Sequence, residues 1–289
     1  PSMDIELKTE YWEDLDAREA FKTFILDIHG LDFTEWEARG YWDNAYTPFS
    51  YFKDGQVIAS VCIYLLDAII AGRQTKLIQI SGVGTHEDWR RQGLSRELTD
   101  LGLQWARGQH EGVFLFADEE AIPYYERCGN SSLSETLEFY HPEQVPNKHG
   151  LIHLDPSNQE HLDKIYNYAK NRAPISDKFS VFSSKLLMFH ALYTIRNNIY
   201  EIPDLECLVF FGREGDVVNV YDILGRTIPS FEKIYPYISS EADRRINFYF
   251  HTDKLGIRKI QTDIITGNNT FVKESFPVSA PAFPFTSRA

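Results

Sequence analysis

The chain has 289 residues and carries 29 Lys and Arg against 42 Asp and Glu, a formal net charge of −13. That balance argues against a nucleic-acid partner, whose phosphates are bound through Lys and Arg. The length and the 43% hydrophobic content suit a soluble globular protein of one large domain or two ordinary ones.

Pro1 and Ser2 ahead of Met3 read as an expression scar, and no secretory pattern follows them. Asp4–Lys8 alternates as a first strand. Glu13–Gly30 places Leu15, Phe21, Phe24, Ile25 and Ile28 at helical spacing and stops on glycine. A second segment, Leu31–Tyr46, mixes aromatic and acidic residues. Asp54-Gly55 between Ser50–Lys53 and Gln56–Leu66 is a strong hairpin signal. Val57–Leu66 is the most apolar run. Asp67 ends it well short of the roughly 20 residues a membrane span needs, so no membrane partner is expected. Cys62, Cys128 and Cys207 are widely spaced and outside any Cys/His cluster. They read as free thiols in a reducing cytoplasm, with neither a disulfide framework nor a metal site.

The most informative stretch is 78–98. Ile78, Ile80 and Val83 read as a buried strand over 76–85, and Leu94, Leu98, Leu101 and Trp105 form one face of a helix over 93–107. The glycines at 82 and 84 mark a bulge or a place where a ligand or another backbone comes close. Between strand and helix stands Arg90-Arg91-Gln92-Gly93-Leu94-Ser95. A helix start offers unpaired N–H groups and the positive pole of its dipole, and two arginines add forked donors for phosphate oxygens. Gly112–Ala117 then reads as a strand buried on both faces, Ala121–Cys128 as a short helix with Pro123 in its first turn, and Leu133–Tyr140 as a further strand. The order β-α-α-β-β-β-α-β-α-β implies an α/β fold with a mixed sheet flanked by helices.

Arg90–Ser95 resembles the coenzyme-A-binding signature of the GNAT superfamily of N-acetyltransferases, Arg/Gln-x-x-Gly-x-Gly/Ala, with Ser95 a small departure at the last position. Tyr124-Tyr125-Glu126-Arg127-Cys128-Gly129 is similar to the family's Tyr-Glu-Arg/Lys-x-Gly-Phe segment, with Asn130 where an aromatic is usual. The resemblance implies acetyl-coenzyme A as co-substrate. Val83, Gly84 and Thr85 would pair with its pantetheine arm, and Arg90, Arg91, Gln92, Gly93, Leu94, Ser95 and Arg96 would hold the pyrophosphate. Tyr125 would be the acid that protonates the departing thiolate, a role that suits a phenol with a pKa of about 10. No general base is assigned, and an ordered water chain is the open alternative. Gln79 and Ser81 are not bases, His86 lies past the bulge, and Asp118–Glu120 reads as a solvated loop.

A domain boundary is expected at His141–Gly150, giving domains of 3–141 and 150–289. The second half reads as a strand at Leu151–Leu154, helices at Gln159–Arg172 and 183–196, and a hairpin of Leu205–Phe211 with Val217–Leu224. A helix at Phe231–Ile238, strands at Ile246–Phe250 and Ile257–Ile265, and a proline-bearing tail complete it. This repeats the first half element by element, but Gly225-Arg226-Thr227-Ile228-Pro229 stands where the phosphate loop would be. A tandem acetyltransferase with a degenerate second domain is therefore expected, a helix-rich accessory domain being the alternative. The expected reaction is direct acetyl transfer to an amine of a small molecule or peptide. Acidic residues over Glu10–Asp43 suit a cationic acceptor and equally an ordinary solvated helix face, and oligomeric state is left open. A non-catalytic acyl-coenzyme A sensor or assembly module is the competing reading.

Overall fold

The computed structural model describes residues 4–266 and 269–289. The scar expected at the first residues lies outside them. In the first half, β1 (Glu6–Thr9) precedes α1 (Leu15–His29) and α2 (Thr34–Ala38). The Asp14 carboxylate accepts from the Ala17 N–H at 3.0 Å to cap α1, and Gly30, at φ 67°, closes it. A hairpin follows, β2 (Tyr46–Lys53) and β3 (Gln56–Ile70), turning through Asp54 and Gly55 at φ 51° and 76°. β3 runs past Asp67, whose exposed carboxylate meets Lys76 at 2.7 Å across the ladder. It turns at Ala71-Gly72 into β4 (Arg73–Thr85). Then come α3 (Leu94–Trp105), β5 (Val113–Phe116), α4 (Ile122–Arg127) and β6 (Asn130–Ser132).

From here the chain leaves the first sheet. β7 (Glu135–Tyr140) and β8 (Ile152–His153) are followed by α5 (Gln159–Asn171), β9 (Phe179–Phe182) and α6 (Ser184–Phe189), which a π-helical turn extends to Thr194. β10 (Ile199–Ile202), β11 (Cys207–Glu214), β12 (Val217–Leu224), α7 (Phe231–Ile238), β13 (Arg245–Phe248), β14 (Gln261–Ile265) and β15 (Thr270–Lys273) complete the chain.

Two mixed sheets result. One runs β1-β2-β3-β4-β5-β15-β6, with β9 added along β3; the other runs β14-β7-β13-β12-β11-β10-β8. Read from the opposite edge, the second sheet has the strand order of the first. In each, a parallel pair (β4 with β5, β12 with β13) is joined through a helix (α3, α7). In each, the strand before that helix carries a bulge, with register shifts opposite Ser60/Cys62 and Phe210/Phe211. The duplication expected from the element order is therefore present in the topology.

Sheet membership does not follow chain order across residues 141–150. Leu133–Tyr140, read from the sequence as a strand of the first domain, supplies β7 of the second sheet, pairing with β13 and β14. In return β15 enters the first sheet between β5 and β6. The alternation of 133–140 specifies a strand but not which sheet edge receives it. The halves also share an aromatic core. Trp36 of α2 is 1% exposed, donates from Nε1 to the Lys185 carbonyl at 2.8 Å and meets Phe189 of α6 edge-on at 5.8 Å.

Candidate active site

The bulge in β4 makes the site. From the pairing of Cys62 with Ser81 to that of Ser60 with Gly84, β3 advances two residues and β4 three, so the extra residue falls at Gly82–Val83. Beyond it β4 parts from β5, whose pairing covers only Ile78–Ile80 with Val113–Leu115. Val83, Gly84 and Thr85 thus run along an open split between two parallel strands.

The glycines serve the helix behind the strand. A Cβ on Gly84 would lie 2.7 Å from Ile28 Cγ2 and 3.3 Å from Phe24 Cζ, and one on Gly82 would meet the Tyr46 hydroxyl at 2.9 Å and Ile25 Cδ1 at 3.2 Å. The close approach signalled by Gly82 and Gly84 is therefore that of α1, which packs directly on the backbone.

At the open end, a single turn over Glu87–Trp89 leads to Arg90. Arg91 and Gly93 are both left-handed, at φ 64° and 75°, a conformation that costs a non-glycine residue about 1–2 kcal/mol and is stored most often at binding sites. Gly93 caps α3 without any side-chain hydrogen bond, leaving the first-turn N–H groups of the helix uncapped. Arg90 Nε donates to the Thr85 carbonyl at 3.2 Å, and the hydroxyls of Thr85 and Ser95 lie 2.7 Å apart, pinning the strand end to the helix start. Ser95, the departure from the signature, thus has a local structural use. Among the described residues Arg90, Arg91 and Arg96 make no salt bridge, so their charges are available to a ligand.

Across the split, α4 presents Tyr124 and Tyr125, rings 5.1 Å apart. Tyr125 rests on Phe271 of β15 at 6.1 Å, so the strand contributed by the second half supports it. Asn130 Nδ2 donates to the Tyr125 carbonyl at 3.0 Å. Burial, then the neighbouring Tyr124, Asp118 and Cys128, raise the Tyr125 pKa well above that of a free phenol, so its proton is held at neutral pH.

Val83–Thr85, Arg90–Arg96, Tyr124 and Tyr125 together line one cleft of about 540 Å³. Every residue the resemblance assigned to the cofactor or to the acid is in it. Hollows of about 580 and 790 Å³ lie elsewhere, at Trp12–Lys185 and beside His110, but neither joins a splayed strand to a helix start. Of the base candidates weighed, His86 is exposed and caps its own turn. Gln79 is buried and clamps the end of the chain: its Nε2 donates to the Ser287 carbonyl and its Oε1 accepts from the Ala289 N–H, each at 2.8 Å. Sequence reasoning passed over His29, which also lines the cleft. It closes a helix whose contact with the glycine strand only the tertiary structure reveals.

In the second sheet the corresponding split is filled by protein. β12 pairs with β13 only over Val217–Val220. Beyond that, Asp222 is fully buried and takes both Arg172 terminal nitrogens at 2.7 Å, with the Thr286 hydroxyl on the same carboxylate. The Phe285 N–H donates to the Tyr249 carbonyl at 3.2 Å and its ring lies 4.8 Å from Tyr221. The C-terminal segment thus occupies the position that is open in the first sheet.

Residues 6–129 match the model of the Acetyltransferase (GNAT) family. These residues are a GNAT-family domain. A search of the curated proteins gave no match. Solved structures share the fold over both halves. A probable N-acyltransferase from Enterococcus faecalis superposes with a TM-score of 0.57 at 12% identity, covering 93% of this chain and 72% of that one. Eis1 from Mycobacterium abscessus gives 0.57 at 15% identity over 93% and 73%. A GCN5-related N-acetyltransferase from Kribbella flavida gives 0.53 at 12% over 93% and 71%. The GNAT domain is thus the half with the open split. Among the described residues no helix is long and apolar enough to cross a membrane.

Proposed function

We propose that the protein transfers acetyl from acetyl-coenzyme A to an amine of a small molecule or peptide by direct attack. The carrying observation is the open, bulged end of β4 running into the arginine-flanked start of α3. The edge at Val83, Gly84 and Thr85 takes the pantetheine arm as an added strand. Arg90, Arg91, Gln92, Gly93, Leu94, Ser95 and Arg96 take the pyrophosphate through N–H groups, helix dipole and guanidinium forks. A neutral amine then needs position, a polarised carbonyl and an acid for the leaving sulfur. Tyr125, protonated and half-buried on the far wall, is that acid. No metal is needed for this chemistry. The domain of residues 150–289, its own split plugged, binds no cofactor.

Glu35 and Glu37 of α2 add little to a preference for polycations. Glu37 is held by Arg18 at 2.8 Å and Lys22 at 2.7 Å, and Glu35 by Arg39 at 3.2 Å. The three cysteines are free thiols, in keeping with a cytoplasmic setting. The test is coenzyme A thiol release across a panel of a diamine, a triamine, a lysine peptide and an aminoglycoside. At least one amine should stimulate release, and Tyr125→Phe should lower that rate by about 10²-fold or more with acetyl-coenzyme A affinity unchanged. Binding without release across the panel would contradict transfer to these amine classes; a Tyr125→Phe rate equal to wild type would remove only the acid.

A further inference from the structure

Amines reach an enzyme at neutral pH mostly as ammonium ions, which have no lone pair with which to attack a thioester. A proton must go somewhere first. Of the residues weighed from the sequence, Gln79 is committed to the chain end, His86 faces solvent and Tyr125 holds its own proton, which leaves Asp118 and Glu120 on the β5 side of the cleft and whatever faces them from α1.

His29 stands where such an acceptor is needed. It is the last residue of α1 and lies on the α1 side of the split in β4, its Nε2 3.4 Å from where a Cβ of Gly84 would be. The Val83 backbone favours the charged form of the ring. Nε2 is buried and has no partner; as the lone-pair nitrogen of the neutral imidazole it would accept a proton. A buried polar atom without a partner costs about 1–3 kcal/mol. A donor entering the cleft beside Val83 and Gly84 would satisfy it.

We infer that His29 is the proton acceptor of the transfer, an inference that rests on the N-acetyltransferase reading above. In the step, the ammonium gives one proton to His29 Nε2, and the neutral nitrogen attacks the thioester carbonyl. The C–N bond forms, the C–S bond breaks, and the thiolate takes the proton of the Tyr125 hydroxyl. The second proton lost by the nitrogen restores that hydroxyl, and the imidazolium releases its own to solvent. Asp118, across the split, favours the imidazolium while it lasts. The other charged groups around the cleft are Glu120, Arg90, Arg91, Arg96 and Arg127. Burial of the ring outweighs the help of Asp118 and Val83 and lowers the His29 pKa below 6.5. The base is thus uncharged, and ready, at neutral pH.

The test compares wild type, His29→Gln and His29→Ala with the most active amine of the panel, reading kcat and KM from pH 5 to 9 and acetyl-coenzyme A affinity by calorimetry. Wild type should lose activity on the acid side with an apparent pKa below the ordinary histidine value. His29→Gln should drop kcat about 10²–10⁴-fold, lose that acid limb and bind acetyl-coenzyme A within about threefold of wild type. Added imidazole should restore part of the His29→Ala rate. His29→Gln that keeps the wild-type kcat and pH profile overturns the role of His29 alone, as does an equal fall in cofactor affinity with the acid limb intact. A wild-type protein that transfers to no amine overturns the reading on which it rests.

Discussion

A methyl group at Gly84 would sit 2.7 Å from Ile28 Cγ2, closer than real Cβ contacts come. Gly84→Ala must therefore push α1 off the strand, and overpacking of this kind costs about 1–3 kcal/mol. Urea unfolding should show a loss in that range. Because Ile28 and His29 ride on the displaced helix, activity should fall more than stability alone explains. Wild-type stability would mean that α1 gives way freely and that the glycine is not required there. The same contact shows what a single residue can tell a reader of the sequence. Gly82 and Gly84 announce a close approach, and the bulge is there. Whether the approaching body is a ligand or a helix is decided by residues more than fifty positions away. His29 was hidden for the same reason, since nothing in its neighbourhood along the chain sets it apart from the end of any amphipathic helix.

At the scale of elements, β7 is pinned in the second sheet by a buried cluster. His251 Nδ1 lies 2.5 Å from Glu138 Oε2, while the Thr252 hydroxyl donates to Oε1 at 2.7 Å. Burial would raise the Glu138 pKa, but the bonds from His251 and Thr252 outweigh it and hold the carboxyl below 4.5. A group depressed in the folded state contributes stability above its unfolded pKa, and that contribution disappears as the pH falls through the folded value. Glu138→Gln should cost about 1–3 kcal/mol at pH 7, and its deficit should shrink as the pH falls below 4.5. A deficit that stays constant from pH 7 to 3 would show that the carboxylate charge is not what holds the strand. The elements themselves were largely legible. The Asp54-Gly55 hairpin, the helix stopped by Gly30 and the strand–loop–helix over 76–107 follow from local chemistry. The Ala71-Gly72 turn is not legible because alanine is no turn former, and the four residues of β15 read as tail because they carry no alternation beyond a strand's length. The exchange of β7 and β15 is written in no local pattern, since a strand's side chains fix its face but not its partner.

For the whole molecule, the exchange means that neither sheet is complete without the other half of the chain. The first sheet needs β15, which packs Phe271 beneath Tyr125, and the second needs β7. Residues 4–141 and 150–289 produced separately should each fail to unfold cooperatively, and co-expression should recover an associated pair. Independent cooperative folding of either piece would show that the shared strands are dispensable. The duplication also sets two sheets of one topology side by side with two splits, one open and flanked by Arg90, Arg91 and Arg96, the other closed by Arg172, Asp222 and the C-terminal segment. Isothermal titration of the full chain with acetyl-coenzyme A tells most directly which of them binds. One site per chain is expected, with affinity reduced at least tenfold (about 1.4 kcal/mol) by Arg91→Ala combined with Gly93→Asp. Two sites per chain, or an affinity unmoved by that double substitution, would contradict it.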